Sequence, residues 1–263
     1  MNRTKRLLAL LAALCCAVLC GCGQQETETE GLPVLVIGSD NYEPYFYLDE
    51  DGTFAGIDVE IAAAACERLG WTPDFRQISW QEKDQLLADG EVDCLWGSFS
   101  MTGREDRYNW AGPYMYSRQV VVVRSDSVIN RLADLNDTRI AVQIASKPEE
   151  LLLTHQVPGV EQVKNVYSFV SVNDVFAALD KGYVDACAGH ETACRSFMTR
   201  RTGQYRVLDQ ELLRVSLGVA FYQEDTTGRA EALSDVLREL KEDGTVAGIL
   251  ERYGVDAQAA LAE

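Results

Sequence analysis

Past residue 31 the chain alternates short apolar runs with segments whose apolar residues recur at three- and four-residue spacing. Residues 34–38 make a brief apolar run of strand length, and Ile57–Leu69 carries one apolar face at helical spacing before stopping at Gly70. A second strand is predicted over 73–79, a helix over 81–89 closed by Gly90, and a buried strand over 92–96. Residues 119–124 (QVVVVR) form a longer β-branched run. A second alternating set opens at 139–142, passes through helices near Glu149 and Asn173, and includes a strand over 183–188. Another strand is predicted over 213–222, followed by amphipathic helices over 228–242 and 245–253. Strand-helix-strand alternation predicts an α/β fold with a largely parallel sheet. Two such sets joined by two extended runs predict two lobes: residues 32–122 with 217–263, and residues 123–216. A crevice between lobes is a common place for a small ligand.

The N-terminus follows a different pattern. Arg3, Lys5 and Arg6 precede an uncharged apolar core over residues 7–19. As a helix that core reaches about 20 Å, short of a hydrocarbon layer about 30 Å thick, so a signal peptide fits better than a membrane span. The flank Leu19-Cys20-Gly21-Cys22 resembles a bacterial lipobox. That resemblance implies a signal peptide over 1–21, a lipid on Cys22 that anchors the protein stably to the membrane, and a hydrophilic tether over 22–31. The alternative is an ordinary secreted protein cleaved nearby.

Charge narrows the partners. Residues 1–21 hold three cations and no anion, so without them 41 acids face 21 bases and the net charge moves from −17 to −20. Such a domain repels nucleic acid and anionic lipid. Cys66, Cys94, Cys187 and Cys194 sit in apolar surroundings and are expected as buried free thiols, with Cys187–Cys194 the pair most open to a disulfide. The cysteine spacing and the two histidines, His155 and His190, suggest no metal site, and no cofactor is expected.

The segment 94–104 (CLWGSFSMTGR) carries the chemistry. An apolar strand breaks into small residues with free backbone groups and hydroxyls, and then delivers an arginine. A planar guanidinium beside serine hydroxyls and open N–H groups suits a carboxylate. The plain alternative is a polar loop with a surface arginine.

Several stretches, in order, resemble one family. They are 38–46 (GSDNYEPYF), 51–61 (DGTFAGIDVEI), 98–102 (SFSMT) with Arg104, 110–114 (WAGPY), 132–135 (LADL), 140–143 (IAVQ) and 242–245 (EDGT). Together they resemble the bacterial extracellular solute-binding proteins of polar amino-acid ABC transporters, family 3, over nearly all of the mature chain. The resemblance implies a two-lobed, periplasmic-binding-protein-like (type II) α/β fold with two hinge crossovers. It implies a monomer that binds a small amino-acid-like ligand between its lobes and presents it to an ABC transporter permease.

The same resemblance assigns site residues. Tyr42 and Trp80 stand where aromatic walls cover the ligand, with core packing as their alternative. Gly97, Ser98 and Ser100 would bond its head group, and Arg104 would bind its carboxylate. Ser146 and Lys147, at a helix start, would offer N–H groups from the second lobe, and Gln143 lies where side-chain specificity is often set.

Two departures stand out. The spacing from Ser100 to Arg104 is one residue short of the family's, which makes Arg107 a rival. Where the family has an Asp for the ligand's α-amine this chain has His190, followed by Glu191. Either Glu191 takes over that charge, or the ligand lacks a standard α-amine, or His190 only caps a helix. A cleft enzyme such as a small-acid dehydratase, using His190 or Glu191, and a sensor for a separate receptor are the competing functions.

Overall fold

The computed structural model describes residues 32–263; the signal, lipobox and tether fall outside them. The first half holds strands β1 (Val34–Ser39), β2 (Tyr47–Leu48), β3 (Phe54–Ala55), β4 (Thr72–Gln77) and β5 (Cys94–Leu95), with helices α1 (Ile57–Leu69) and α2 (Lys83–Ala88). A long strand, β6 (Asn109–Arg124), leads into β7 (Arg139–Gln143), α3 (Lys147–Leu153), β8 (Asn165–Phe169) and α4 (Val172–Asp180). Then come β9 (Ala186–His190), α5 (Glu191–Thr199), β10 (Tyr205–Val207) and the second long strand, β11 (Leu213–Phe221). Helices α6 (Arg229–Glu242), α7 (Thr245–Arg252) and α8 (Ala257–Leu261) close the chain.

One sheet runs through the molecule in the order β4-β1-β5-β11-β6-β9-β7-β8, with β10 also on β6. Its two flanks are parallel: β1 pairs with β4 and β5, and β7 pairs with β8 and β9. The two long central strands are antiparallel to each other and join the flanks. Strand β6 changes partner along its length. Residues from Asn109 to Gln119 pair with β11, while Gln119 to Val123 pair with β9. Gln119 is the switch point, opposite Leu213 on one side and His190 on the other.

Local chemistry sets the boundaries. Helix α1 ends where Gly70 turns left-handed and its N–H returns to the carbonyls of Cys66 and Glu67. The strand expected over 92–96 narrows to Cys94–Leu95, because the Val92 N–H goes back to Leu86 in a turn. The strand expected over 183–188 moves to Ala186–His190. Left-handed Gly182 turns the chain, Tyr183 is exposed, and the Asp185 carboxylate accepts from the Arg139 N–H and guanidinium, so pairing starts after it.

The largest buried cluster runs through both flanks, from Leu35, Ile37 and Ile57 to Val175, Cys187 and Phe197. One buried cluster (Val121, Ile140, Val142, Leu151, Leu208) lies on one face of the β7–β9 flank. A small aromatic cluster of Trp80, Phe99 and Tyr108 with Leu87 and Leu95 sits beneath the loop after β5. Cys66, Cys94, Cys187 and Cys194 are all buried free thiols. Burial pushes the Cys194 thiol up to about 12 and also holds Cys94 and Cys187 well above the ordinary thiol range.

Candidate functional site

The loop after β5 is held from below. Gly97 packs against Ser39: a Cβ there would lie 2.0 Å from Ser39 Oγ, so any larger residue would force that buried side chain to move. Ser98 takes a left-handed backbone conformation (φ 45°) and donates its N–H to Asp58 Oδ2 at 2.6 Å. Asp58, in the first turn of α1, also accepts from the Tyr114 hydroxyl at 2.9 Å and is 1% exposed. Desolvation pushes its carboxyl up to about 7, against those two donors. A strained non-glycine residue held by a buried carboxyl is the kind of backbone that binding sites carry.

Phe99 then anchors the loop into the aromatic cluster, with ring centroids 4.9 Å from Trp80 and 5.2 Å from both Tyr108 and Trp110. The chain turns at Met101, whose N–H bonds the Ser216 carbonyl, and delivers Arg104. The Arg104 guanidinium lies over the Phe99 ring at 5.4 Å and donates to the Ser100 carbonyl at 3.3 Å. It is buried at 7% exposure. Arg107 instead points outward, with its partner Asp84 at 3.6 Å, so Arg104 is the arginine that enters the cleft.

The facing wall comes from the other flank. After β7, Ala145 is left-handed (φ 56°), so strained non-glycine residues stand on both sides. Ser146 caps α3 by accepting the Glu149 N–H at 3.3 Å, and Glu149 in turn takes the Ala145 N–H at 2.6 Å. Lys147 is buried, and its Nζ donates to Glu150 Oε1 at 2.6 Å. The other oxygen of Glu150 meets Arg104 at 3.3 Å. One carboxylate is thus held between a guanidinium from the loop after β5 and an ammonium from α3. Farther along, Gln143 donates to Asp40 at the end of β1 and to the Val170 carbonyl. Burial pushes the Asp40 carboxyl up to about 6.

At the hinge end of the cleft, His190 is the first residue before α5 but makes no cap bond with its side chain. Its Nδ1 is 3.0 Å from Ser117 Oγ, and Gln119 Nε2 lies 3.0–3.1 Å from its ring nitrogens. Its backbone N–H donates to the Tyr42 hydroxyl, and the rings of Tyr42 and Tyr45 stand edge-on to it. Desolvation holds the imidazole down to about 3, so it is neutral at ordinary pH.

The structure therefore gathers Tyr42, Trp80, Gly97, Ser98, Ser100, Arg104, Gln143, Ser146, Lys147 and His190 around one cleft. Trp80 belongs equally to the aromatic cluster beneath it. Glu191 is elsewhere: its carboxylate is held by Arg118 and Arg195, and it lines a second groove. That groove is larger, about 870 Å³, but its guanidiniums (Arg118, Arg195, Arg200, Arg214) are satisfied by protein carboxylates and carbonyls. Sequence reasoning missed Asp40, Phe99 and Gln119, which also line the cleft. Asp40 had a usable signal, being an acid at the end of the first strand in the 38–46 motif; Gln119 looked like an ordinary strand residue. The two walls approach closely, leaving a free volume of about 30 Å³, on the order of two waters.

Known proteins resemble this one over nearly its whole length. The glutamate-binding protein GluB of Corynebacterium efficiens is 26% identical over 98% of this chain and 95% of its own. The L-cystine-binding protein TcyA of Bacillus subtilis is 26% identical over 95% of this chain and 97% of its own. The structure of Tv2483 bound to L-arginine superposes with a TM-score of 0.77 at 27% identity, covering 84% of this chain and 90% of that one. The fold is the two-lobed periplasmic-binding-protein fold. The family model for bacterial extracellular solute-binding proteins, family 3, matches residues 34–256, and the chain belongs to that family.

Proposed function

We propose that this protein is the extracytoplasmic substrate-binding lipoprotein of an ABC importer, and that it captures a small amino-acid-like ligand in the cleft. The observation that carries the reading is the carboxylate bridge Arg104–Glu150–Lys147. A buried guanidinium on one wall and a buried ammonium on the other converge on one carboxylate, and a ligand's carboxylate takes that place when Glu150 swings out. Asp40, at the end of β1, lines the cleft and receives a cationic group of the ligand, with Tyr42 and Trp80 beside it. The names of GluB and TcyA and the arginine bound to Tv2483 support an amino-acid class of ligand.

Closure joins the two walls over the ligand, so each ligand contact that spans them shifts the population toward the closed form. The lobes are residues 32–122 with 217–263, and 123–216; the change of partner at Gln119 supports a crossing within β6. The closed form is presented to a permease, the protein acts as a monomer, and Cys22 holds it to the membrane. Binding without chemistry fits the site: His190 is neutral and enclosed by Ser117 and Gln119, and Glu191 is spent on two arginines. A thermal-shift and calorimetric screen of the domain against amino acids, opines, polyamines and short peptides tests this. Binding of one member that is lost in Arg104→Ala supports the reading; no binding across the panel, or binding indifferent to Arg104, overturns it.

A further inference from the structure

The hinge end of the cleft is built from uncharged groups. Gln119 is 1% exposed and lines the cleft, yet its Oε1 has no hydrogen-bond partner. Its Nε2 is turned to the imidazole of His190, which leaves the carbonyl oxygen as a free acceptor. The ring nitrogens of His190 are already engaged by Gln119 and by Ser117 Oγ. A buried acceptor without a donor is destabilising, and a ligand that supplies one hydrogen relieves it. An ammonium group brings three donors and a full charge, of which Gln119 Oε1 can meet one donor and none of the charge.

We propose that Gln119 is a specificity-determining residue whose Oε1 accepts one hydrogen from the substituent next to the ligand's carboxylate, so that the cleft selects 2-hydroxy acids over 2-amino acids. This rests on the reading that an amino-acid-like ligand occupies the cleft with its carboxylate at Arg104. A hydroxyl gives Gln119 its single hydrogen and carries no charge into the dry hinge end. An unmet buried polar group discriminates more strongly than a missing methylene, so the margin is large.

Calorimetry on the purified domain compares matched series: L-glutamate, 2-hydroxyglutarate and glutarate; L-arginine, its 2-hydroxy analogue and 5-guanidinopentanoate. In whichever series binds, the hydroxy acid is expected to bind at least tenfold tighter than the amino acid. Any smaller margin, or the reverse order, overturns this inference and leaves the cleft reading standing. No binding by any member of either series overturns this inference, and the cleft reading falls with it only when the wider panel also fails to bind. Gln119→Met is expected to weaken the hydroxy acid at least fivefold and leave the acid lacking the hydroxyl unchanged, whereas equal losses for both acids would assign Gln119 a merely structural part. Gln119→Glu, which adds a carboxylate at the same length, is expected to bring the amino acid ahead; an unchanged order counts against the proposal.

Discussion

Replacing Arg104 with alanine separates ligand recognition from folding, because the structure assigns different partners to the two tasks. In the folded protein the guanidinium bonds the Ser100 carbonyl and the Glu150 carboxylate, each at 3.3 Å. The Glu150 side chain is 36% exposed and keeps Lys147 at 2.6 Å, so it re-solvates when Arg104 goes. The ion pair with this exposed Glu150 contributes about 1 kcal/mol and the stacking of the buried guanidinium on Phe99 about as much again, so the melting temperature of a domain this size should fall by about 4–8 °C. The bound state differs. Two unit charges about 3 Å apart at an effective dielectric of about 20 attract by roughly 5 kcal/mol, and truncating one partner of an enclosed charge pair costs about 2–5 kcal/mol. That corresponds to an affinity loss of about 30- to 4,000-fold. Arg104→Lys keeps the charge and loses the fork, so it should recover part of the loss. Calorimetry with the ligand found by screening, paired with thermal melts of the ligand-free variants, measures both. A loss below about threefold, or a melting shift that accounts for the whole decline, refutes the assignment.

Glu150→Gln removes the carboxylate that occupies Arg104 and Lys147, and binding should tighten, by up to about tenfold if displacing it costs the energy of a half-exposed pair; weaker binding would make Glu150 a ligand contact instead. Trp80→Ala should destabilise the ligand-free protein by about 3–5 kcal/mol in urea melts, since the ring packs edge-on to Phe99 with Lys83 above it; a change under 1 kcal/mol would return Trp80 to a purely ligand-facing role. His190 titrates near 3 when folded and 6.5 when not, so stability intact above pH 6.5 falls as the pH drops toward 3. His190→Gln should flatten that decline by up to about 1.4 kcal/mol per pH unit. Asp58, pushed up to about 7, works in the opposite sense, losing its stabilising contribution as the pH rises from 3.8 through 7, so identical wild-type and variant slopes, not the raw curve, are what would refute the histidine term. Cys22→Ser should release the protein from membranes in fractionation, and continued sedimentation with membranes would remove Cys22 as the anchor.

Much of the fold was legible because apolar periodicity reports burial. Ile57–Leu69 matched residue for residue, its C-terminal signal being a glycine that turns left-handed. Periodicity failed where burial is not periodic. The first part of β6 carries Gly112-Pro113 and irregular burial, and β8 is half exposed along its length. Around the cleft, residues whose chemistry is intrinsic were readable: a guanidinium after a serine loop suggests an anion site in any fold. Gln119 and Glu150 were not. The first gains its meaning from being left without a partner, and the second from bridging two chain segments, and neither property exists along the sequence. Glu191 failed for the converse reason. Its neighbour His190 faces the cleft, but the helix that starts there turns the carboxylate toward Arg118 and Arg195.

The four buried thiols make folding order a matter of chemical survival. In the native state none can form a thiolate at neutral pH, so oxidants find nothing to attack. Unfolded in an oxidising medium, the same chain exposes all four, and a crosslink between Cys94 and Cys187, whose strands stand apart in the sheet with β11 and β6 between them, traps a form that cannot rebuild it. Refolding yield should therefore depend on a reductant being present until the core has closed, and be indifferent to it afterwards.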